Sequence, residues 1–144
     1  MMSNAGEAGG LRQGADSLAS LARALSATVR PGEVLDVVAD SVGSLVGECS
    51  LNISLLDEER RTLSTVMSRR TSPQVRMQFA AFPADAPYPT RDALLTRRPV
   101  VVQGLAERDR RYPALAAVPV SQVAWVVLPL VDDDRPLGTL SLGW

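Results

Sequence analysis

The closing stretch, Ser121 to Trp144 (SQVAWVVLPLVDDDRPLGTLSLGW), does most to constrain the fold. It carries two apolar runs, each short for a helix, on either side of three aspartates, an arginine and a proline. β-Branched and aromatic residues before a polar turn, with apolar residues after it, predict a β-hairpin. The run Val-Ala-Trp-Val-Val-Leu, 123–128, is apolar at every position, the pattern of a strand covered on both faces. The chain is therefore expected to build a sheet with something packed on each side.

At 144 residues the chain fits one domain with a real core. Fifteen basic and sixteen acidic residues leave a net charge of −1, which predicts no nucleic-acid surface. No apolar run approaches membrane-spanning length, and MMSNAGEAGGLRQG lacks a signal-peptide core. The expectation is a soluble cytoplasmic protein with no membrane insertion. The single cysteine, Cys49, has no partner for an internal disulfide, in keeping with a reducing compartment. Histidine is absent, which removes the commonest general base and the commonest metal and haem ligand. Lysine is absent too, so neither a Schiff base nor a P-loop lysine is available. No pair of carboxylates is placed in one cleft by the pattern, so no catalytic constellation is read.

Residues 1–14 are Gly, Ala, Ser and polar residues without periodicity and read as a flexible lead. Asp16 is a plausible N-cap for a first helix carrying Leu18, Leu21, Ala22, Leu25 and Val29 at helical spacing. Pro31-Gly32 separates it from a second helix, whose apolar side is Val34, Leu35, Val38, Val42, Leu45 and Val46 and whose stop is Gly47. Cys49 to Asp57 alternates as a strand, DEERR is a charged turn, and TLSTVMSRR returns. SPQVRMQFAAF reads as a short helix and PADAPYP as irregular loop. TRDALLTRR is a short helix stopped by Pro99, PVVVQ a short strand, and GLAERDRRYPALAAV a loop with a helical turn. Helix, helix, hairpin, irregular crossover, strand and hairpin add up to an α+β domain with a mostly antiparallel sheet.

In this order and spacing the chain resembles a GAF domain from about Leu18 to Trp144. The resemblance rests on the paired N-terminal helices, on a first strand ending Leu-Leu-Asp before a charged turn, and on two later segments. These are DALLTRRPVVVQGLAERDRRYPALAAV and AWVVLPLVDDDRPLGTLSLGW. Thr96, Arg98, Pro99, Asp109, Arg110, Tyr112, Pro113, Leu128, Pro129, Leu130, Gly138, Leu140 and Leu142 stand at the family's usual positions. The resemblance implies a GAF-like, PAS-related central antiparallel sheet of five to six strands. Long helices would cover one face, and short helices and loops would cover a small-molecule pocket on the other. It also implies a single domain over 15–144, cut before a C-terminal linker helix, in a bacterial multidomain signalling protein. Its work would be to sense a ligand and, as a homodimer through its N-terminal helices, to control a histidine kinase or serine phosphatase output. The residue inventory narrows the ligand. The cyclic-nucleotide signature needs a lysine, haem-binding members use histidine, bilin attachment uses a pocket cysteine, and methionine-sulfoxide reduction needs several cysteines. No cofactor is therefore expected.

Strand arithmetic locates the pocket. An even turn through Asp133-Asp134 pairs Val127 with Leu140 and Trp125 with Leu142. Trp125, Val127, Leu140, Leu142 and Trp144 then share one face; the resemblance makes the first and last strands neighbours, which implies that this face joins Cys49, Leu51, Ile53 and Leu55 under the long helices. Ser50, Asn52, Ser54, Val126, Leu128, Thr139 and Ser141 face the crossover. An even turn after Asp57 adds Leu63, Thr65 and Met67 to that side. Phe79, Phe82, Tyr88 and Leu94 form the roof. Polar groups on a floor under apolar walls suit a small ligand; an ordinary second core is the competing reading, in which Met67 and the aromatics fill the space and the domain is a ligand-free dimerisation module. Arg91 or Arg98, flanking the short helix, is the arginine expected to reach the pocket. Cys49 is read as a small core residue, and Asp132-Asp133-Asp134 as a solvated turn.

Overall fold

The computed structural model describes residues 30–144. The expected lead and first helix lie outside the described residues. Helix α1 spans Pro31–Val46. Pro31 occupies its first turn, where a missing N–H costs no intrahelical bond and the fixed φ suits the helix. The helix ends where the Gly47 N–H donates to the Gly43 carbonyl at 3.0 Å, with Gly47 at φ 91°. Leu35 and Ala39 are buried, with Val38 and Val42 packed around them. Leu45 and Val46, expected on the same apolar side, are 84% and 54% exposed because packing on the sheet stops near Val42.

Six antiparallel strands follow: β1 (Ser50–Asp57), β2 (Thr62–Met67), β3 (Ala81–Pro83), β4 (Val100–Val102), β5 (Trp125–Asp132) and β6 (Arg135–Gly143). Their order across the sheet is β3-β2-β1-β6-β5-β4, so the first and last strands are neighbours at its centre. The short helices α2 (Pro73–Phe79), α3 (Pro89–Thr96) and α4 (Leu105–Arg111) and a 3-10 turn (Pro113–Leu115) make up the crossovers. Strand β3 was not expected. Ala81-Phe82-Pro83 follows α2 directly and pairs with β2 at the sheet edge, where a proline can close a strand without breaking a ladder.

The final hairpin corrects the predicted register. Its turn is even, as expected: Asp132 pairs with Arg135 and Val131 with Pro136. Beyond that point the register slips, so that Leu130 faces Gly138, Leu128 faces Leu140, Val127 faces Ser141 and Trp125 faces Gly143. A bulge at Leu130/Val131 leaves Leu137 as an extra residue on β6. Pro136 lacks the N–H that would extend the ladder, and Gly138 lies so close to β1 that a Cβ there would run into the Ser54 carbonyl oxygen. Because strand side chains alternate, one extra residue exchanges the faces of everything on β5. Trp125 and Val127 therefore face the crossover, and Val126 and Leu128 the helix side, the reverse of the sequence-based expectation.

Two cores result. On the helix side Leu35, Ala39, Cys49, Leu51 and Leu142 pack with Ile53, Val66, Leu128, Leu140 and Trp144. On the crossover side Ala93, Val100, Val102, Tyr112 and Val127 pack with Leu115 and Trp125. Cys49 is buried in the first core, which pushes its thiol above the ordinary range. At neutral pH it is therefore a small core residue and not a thiolate nucleophile.

Candidate functional site

Between the sheet and the crossover elements lies a cavity of about 160 Å³. Its floor comes from three adjacent strands. Asn52 and Ser54 on β1, Thr65 and Met67 on β2 and Ser141 on β6 line it. Asn52 pairs with Ser141 on one side and Met67 on the other, and Ser54 pairs with Thr65, so these residues share one face by register. Alternation along β1 is what separates them from Leu51 and Ile53, which point to the helix core. Trp125 and Val127 extend the floor onto β5.

The roof is largely aromatic. Phe79 ends α2, Phe82 sits on β3 and Tyr88 precedes α3. Their rings meet edge-on, with centroids 5.4 to 6.0 Å apart, the arrangement favoured by aromatic quadrupoles. Val75, Pro89 and Thr90 continue this wall, and Val102, Leu115, Val118 and Val120 close the far end.

The polar groups of the floor are mostly bonded to each other. The Ser54 and Thr65 hydroxyls lie 2.9 Å apart. The Thr71 hydroxyl donates to Asn52 Oδ1 at 2.9 Å, which orients the amide from behind. The Ser68 hydroxyl accepts from the Leu51 N–H at 3.0 Å, and Arg76 donates to the Met67 and Ser68 carbonyls at 3.3 and 2.8 Å. One end of the floor is thus tied to the segment Ser68–Thr71.

Among the described residues the one charged side chain lining the cavity is Arg108, which is 6% exposed. It stands in α4 and stacks over Trp125, 5.7 Å from the ring centre. Its Nε donates to Asp109 Oδ1 at 2.8 Å, Nη1 to the Val118 carbonyl at 3.2 Å and Nη2 to the Ala116 carbonyl at 3.3 Å. The sequence expectation was Arg91 or Arg98. Arg98 is exposed, Arg91 pairs with its neighbour Asp92 at 3.5 Å, and neither lines the cavity. A helical reading of LAERDRR would have pointed to Arg108, since an arginine turned inward beside a buried tyrosine needs carbonyl partners of this kind.

Of the residues expected to line the site, Asn52, Ser54, Met67, Phe79, Phe82, Tyr88 and Ser141 come together around the cavity. Ser50 is buried against the Gly143 carbonyl, 3.5 Å away. Leu94 is half-buried in α3 outside the lining. Thr139 is on the expected face, opposite Ser54, but fully buried outside the cavity, and its hydroxyl has no partner among the described residues. Val126 and Leu128 are on the other face of the sheet, a consequence of the bulge. Beneath α3 the Tyr112 hydroxyl donates to Asp92 Oδ2 at 2.6 Å, and burial with this bond pushes Tyr112 up to about 12. Among the described residues no group of three acidic or thiol side chains is disposed to hold a metal ion. No helix among them is long and apolar enough to cross a membrane.

The GAF domain family model matches residues 28–144. No curated protein matches the chain. Solved structures match it with low identity. The GAF domain of an Acinetobacter phosphoenolpyruvate-protein phosphotransferase aligns over 89% of this chain and 74% of its own, at 14% identity and TM-score 0.63. Residues 122 to 287 of a methyl-accepting chemotaxis protein align over 85% and 76%, at 18% identity and TM-score 0.61. A free methionine-R-sulfoxide reductase from Neisseria meningitidis, solved with its substrate, aligns over 88% and 70%, at 16% identity and TM-score 0.60. The shared fold thus occurs in signalling proteins and in an enzyme.

Proposed function

The chain belongs to the GAF domain family, and from that premise we propose that it is a regulatory domain that senses a small molecule and controls an attached output domain of histidine-kinase or serine-phosphatase type. The observation that carries this reading is the cavity, with hydrogen-bonding groups from three strands on one side and an aromatic wall on the other. A space packed only for stability has no need of Asn52, Ser54, Thr65 and Ser141 on one floor. Catalysis is not part of the reading. The one cysteine is buried in the opposite core, the sequence has no histidine or lysine, and among the described residues the cavity lining has no carboxylate to act as base.

A route from the cavity to α1 supports regulation. Thr71, which holds Asn52, closes the segment Ser68–Thr71. The Arg69 N–H in that segment donates to Asp36 Oδ1 at 2.7 Å, Arg69 pairs with Asp40 at 3.1 Å, and Arg70 pairs with Glu48 at 2.9 Å. These exposed pairs add little stability. Those through Asp36 and Asp40 fix the segment to α1, and Glu48 lies just beyond its end, so that a ligand drawing on Asn52 has a short path to the helix. A homodimer through the N-terminal helices, with the domain in the cytoplasm, completes the proposal.

Thermal shift and native mass spectrometry against a metabolite library test it. A ligand that raises the melting temperature and remains bound in the mass spectrum is the expected result. A filled cavity gives the other outcome: no ligand shifts the protein, and dimerisation proceeds regardless, as a ligand-free interaction module would behave. For the dimer, loss of self-association on removing residues 1–30 is expected, and unchanged association contradicts it.

A further inference from the structure

The cavity's electrostatics are one-sided. Among the described residues Arg108 supplies the only formal charge in the lining, and no carboxylate joins it there. Asp109, which pairs with it at 2.8 Å, has a side chain 43% exposed and lies outside the lining. A guanidinium has five N–H donors. Asp109, Val118 and Ala116 take three of those on Arg108, and the remaining two have no partner among the described residues.

A second, independent feature lies on the same wall. Pro89 and Thr90, the first residues of α3, line the cavity, and α3 has eight residues. Its N-cap, Tyr88, makes no side-chain capping bond; Pro89 has no N–H, the Arg91 N–H donates to the Tyr88 carbonyl at 3.1 Å, and Asp92 supplies a negative charge in the first turn. Thr90 is 9% exposed, and its hydroxyl is buried without a hydrogen-bond partner among the described residues. A buried, unpaired hydroxyl is costly unless something meets it. A guanidinium with spare donors favours an acceptor carrying negative charge, and the orphaned Thr90 hydroxyl at the start of α3 favours a further polar atom to meet it.

Size and wall chemistry limit what carries that charge. The cavity, about 160 Å³, is close to the ~150 Å³ that admits a benzene-sized molecule and well below the ~300–1,000 Å³ of sites for drug-sized ligands. A nucleotide is too large. Phe79, Phe82 and Val127 offer apolar contact to the body of a compact ligand.

We propose that the cavity takes a small organic monocarboxylate with an aromatic or short branched apolar body, its carboxylate directed to Arg108 and to the N-terminal end of α3. This rests on the ligand-sensing reading above and specifies its ligand class.

Isothermal titration of the whole 144-residue chain with benzoate, benzamide and benzamidinium tests it, because the three share a ring and differ in charge. Benzoate is expected to bind about tenfold or more tightly than benzamide, as a charge-assisted hydrogen bond warrants, and benzamidinium not at all. Arg108→Gln is expected to remove the advantage of benzoate over benzamide. Because Arg108 also holds the Ala116 and Val118 carbonyls, Thr90→Val provides a second variant in case Arg108→Gln does not fold. It is expected to weaken benzoate about threefold or more and benzamide by less. Equal affinity for benzoate and benzamide, or a preference for benzamidinium, overturns the anionic assignment and leaves the sensing reading standing. Binding of none of the three overturns the monocarboxylate class, whereas the sensing reading falls only if the wider metabolite screen is also silent.

Discussion

The two faces of the sheet are built from the same strands and differ in kind. On the helix face the β1 residues Leu51 and Ile53 meet Leu35, Leu128, Leu140 and Leu142, and the layer is closed. On the other face the β1 residues Asn52 and Ser54 meet Ser141 and Thr65, and a cavity remains. Burial of apolar area stabilises the first face at about 25 cal/mol per Å². The second holds polar groups near an apolar roof, an arrangement that gives up packing. Stability is thus concentrated on one side of a strand and ligand chemistry on the other, separated by the two-residue alternation of the backbone.

The largest expected effect comes from breaking the device that sets this division. Gly138→Ala puts a Cβ against the Ser54 carbonyl oxygen where β6 crosses β1 beside the bulge, and adds a side chain at a positive φ. The expected outcome is loss of a cooperative urea transition; a folded variant with unchanged denaturation overturns the assigned register. Next in size is a paired comparison. Leu51→Ala, in the closed layer, is expected to cost about 2–5 kcal/mol, while Ser141→Ala, on the cavity floor, stays within about 0.5 kcal/mol. Equal losses in equilibrium denaturation erase the distinction between the faces. The smallest effect concerns the second core, where Tyr112 donates to Asp92. Tyr112→Phe is expected to cost about 1 kcal/mol at neutral pH. The wild-type phenol ionises near 10 in the unfolded chain and only at about 12 in the fold. The unfolded state therefore loses the proton first, and stability declines as pH rises across that window. Tyr112→Phe flattens the decline, and a variant that keeps the wild-type slope refutes the assignment to Tyr112.

Much of this was legible in the sequence because it depends on local pattern. The alternation of Cys49 to Asp57 separated Leu51 and Ile53 from Asn52 and Ser54, and the even turn after Asp57 carried Thr65 and Met67 to the correct side. The aromatic roof followed from the crossover's composition. The exchange of faces on β5 was not legible. It depends on one extra residue, Leu137, and on Gly138 passing against the Ser54 carbonyl of a strand far away in sequence. Pro136 and Gly138 flanking one residue are the local trace of that bulge. Arg108 was obscured in another way. Among three arginines within four residues, only the helix phase of Leu105–Arg111 shows which one turns inward.

Val127 and Leu128 are adjacent in sequence and lie on opposite faces, the first in the cavity wall and the second in the helix core. Methyl-resolved NMR of the whole chain during titration with benzoate reads both at once. The account predicts that the Val127 methyl signals move and saturate while those of Leu128 and Leu140 stay in place. Movement of Leu128 and Leu140 with Val127 silent, or no movement on either face, would contradict it.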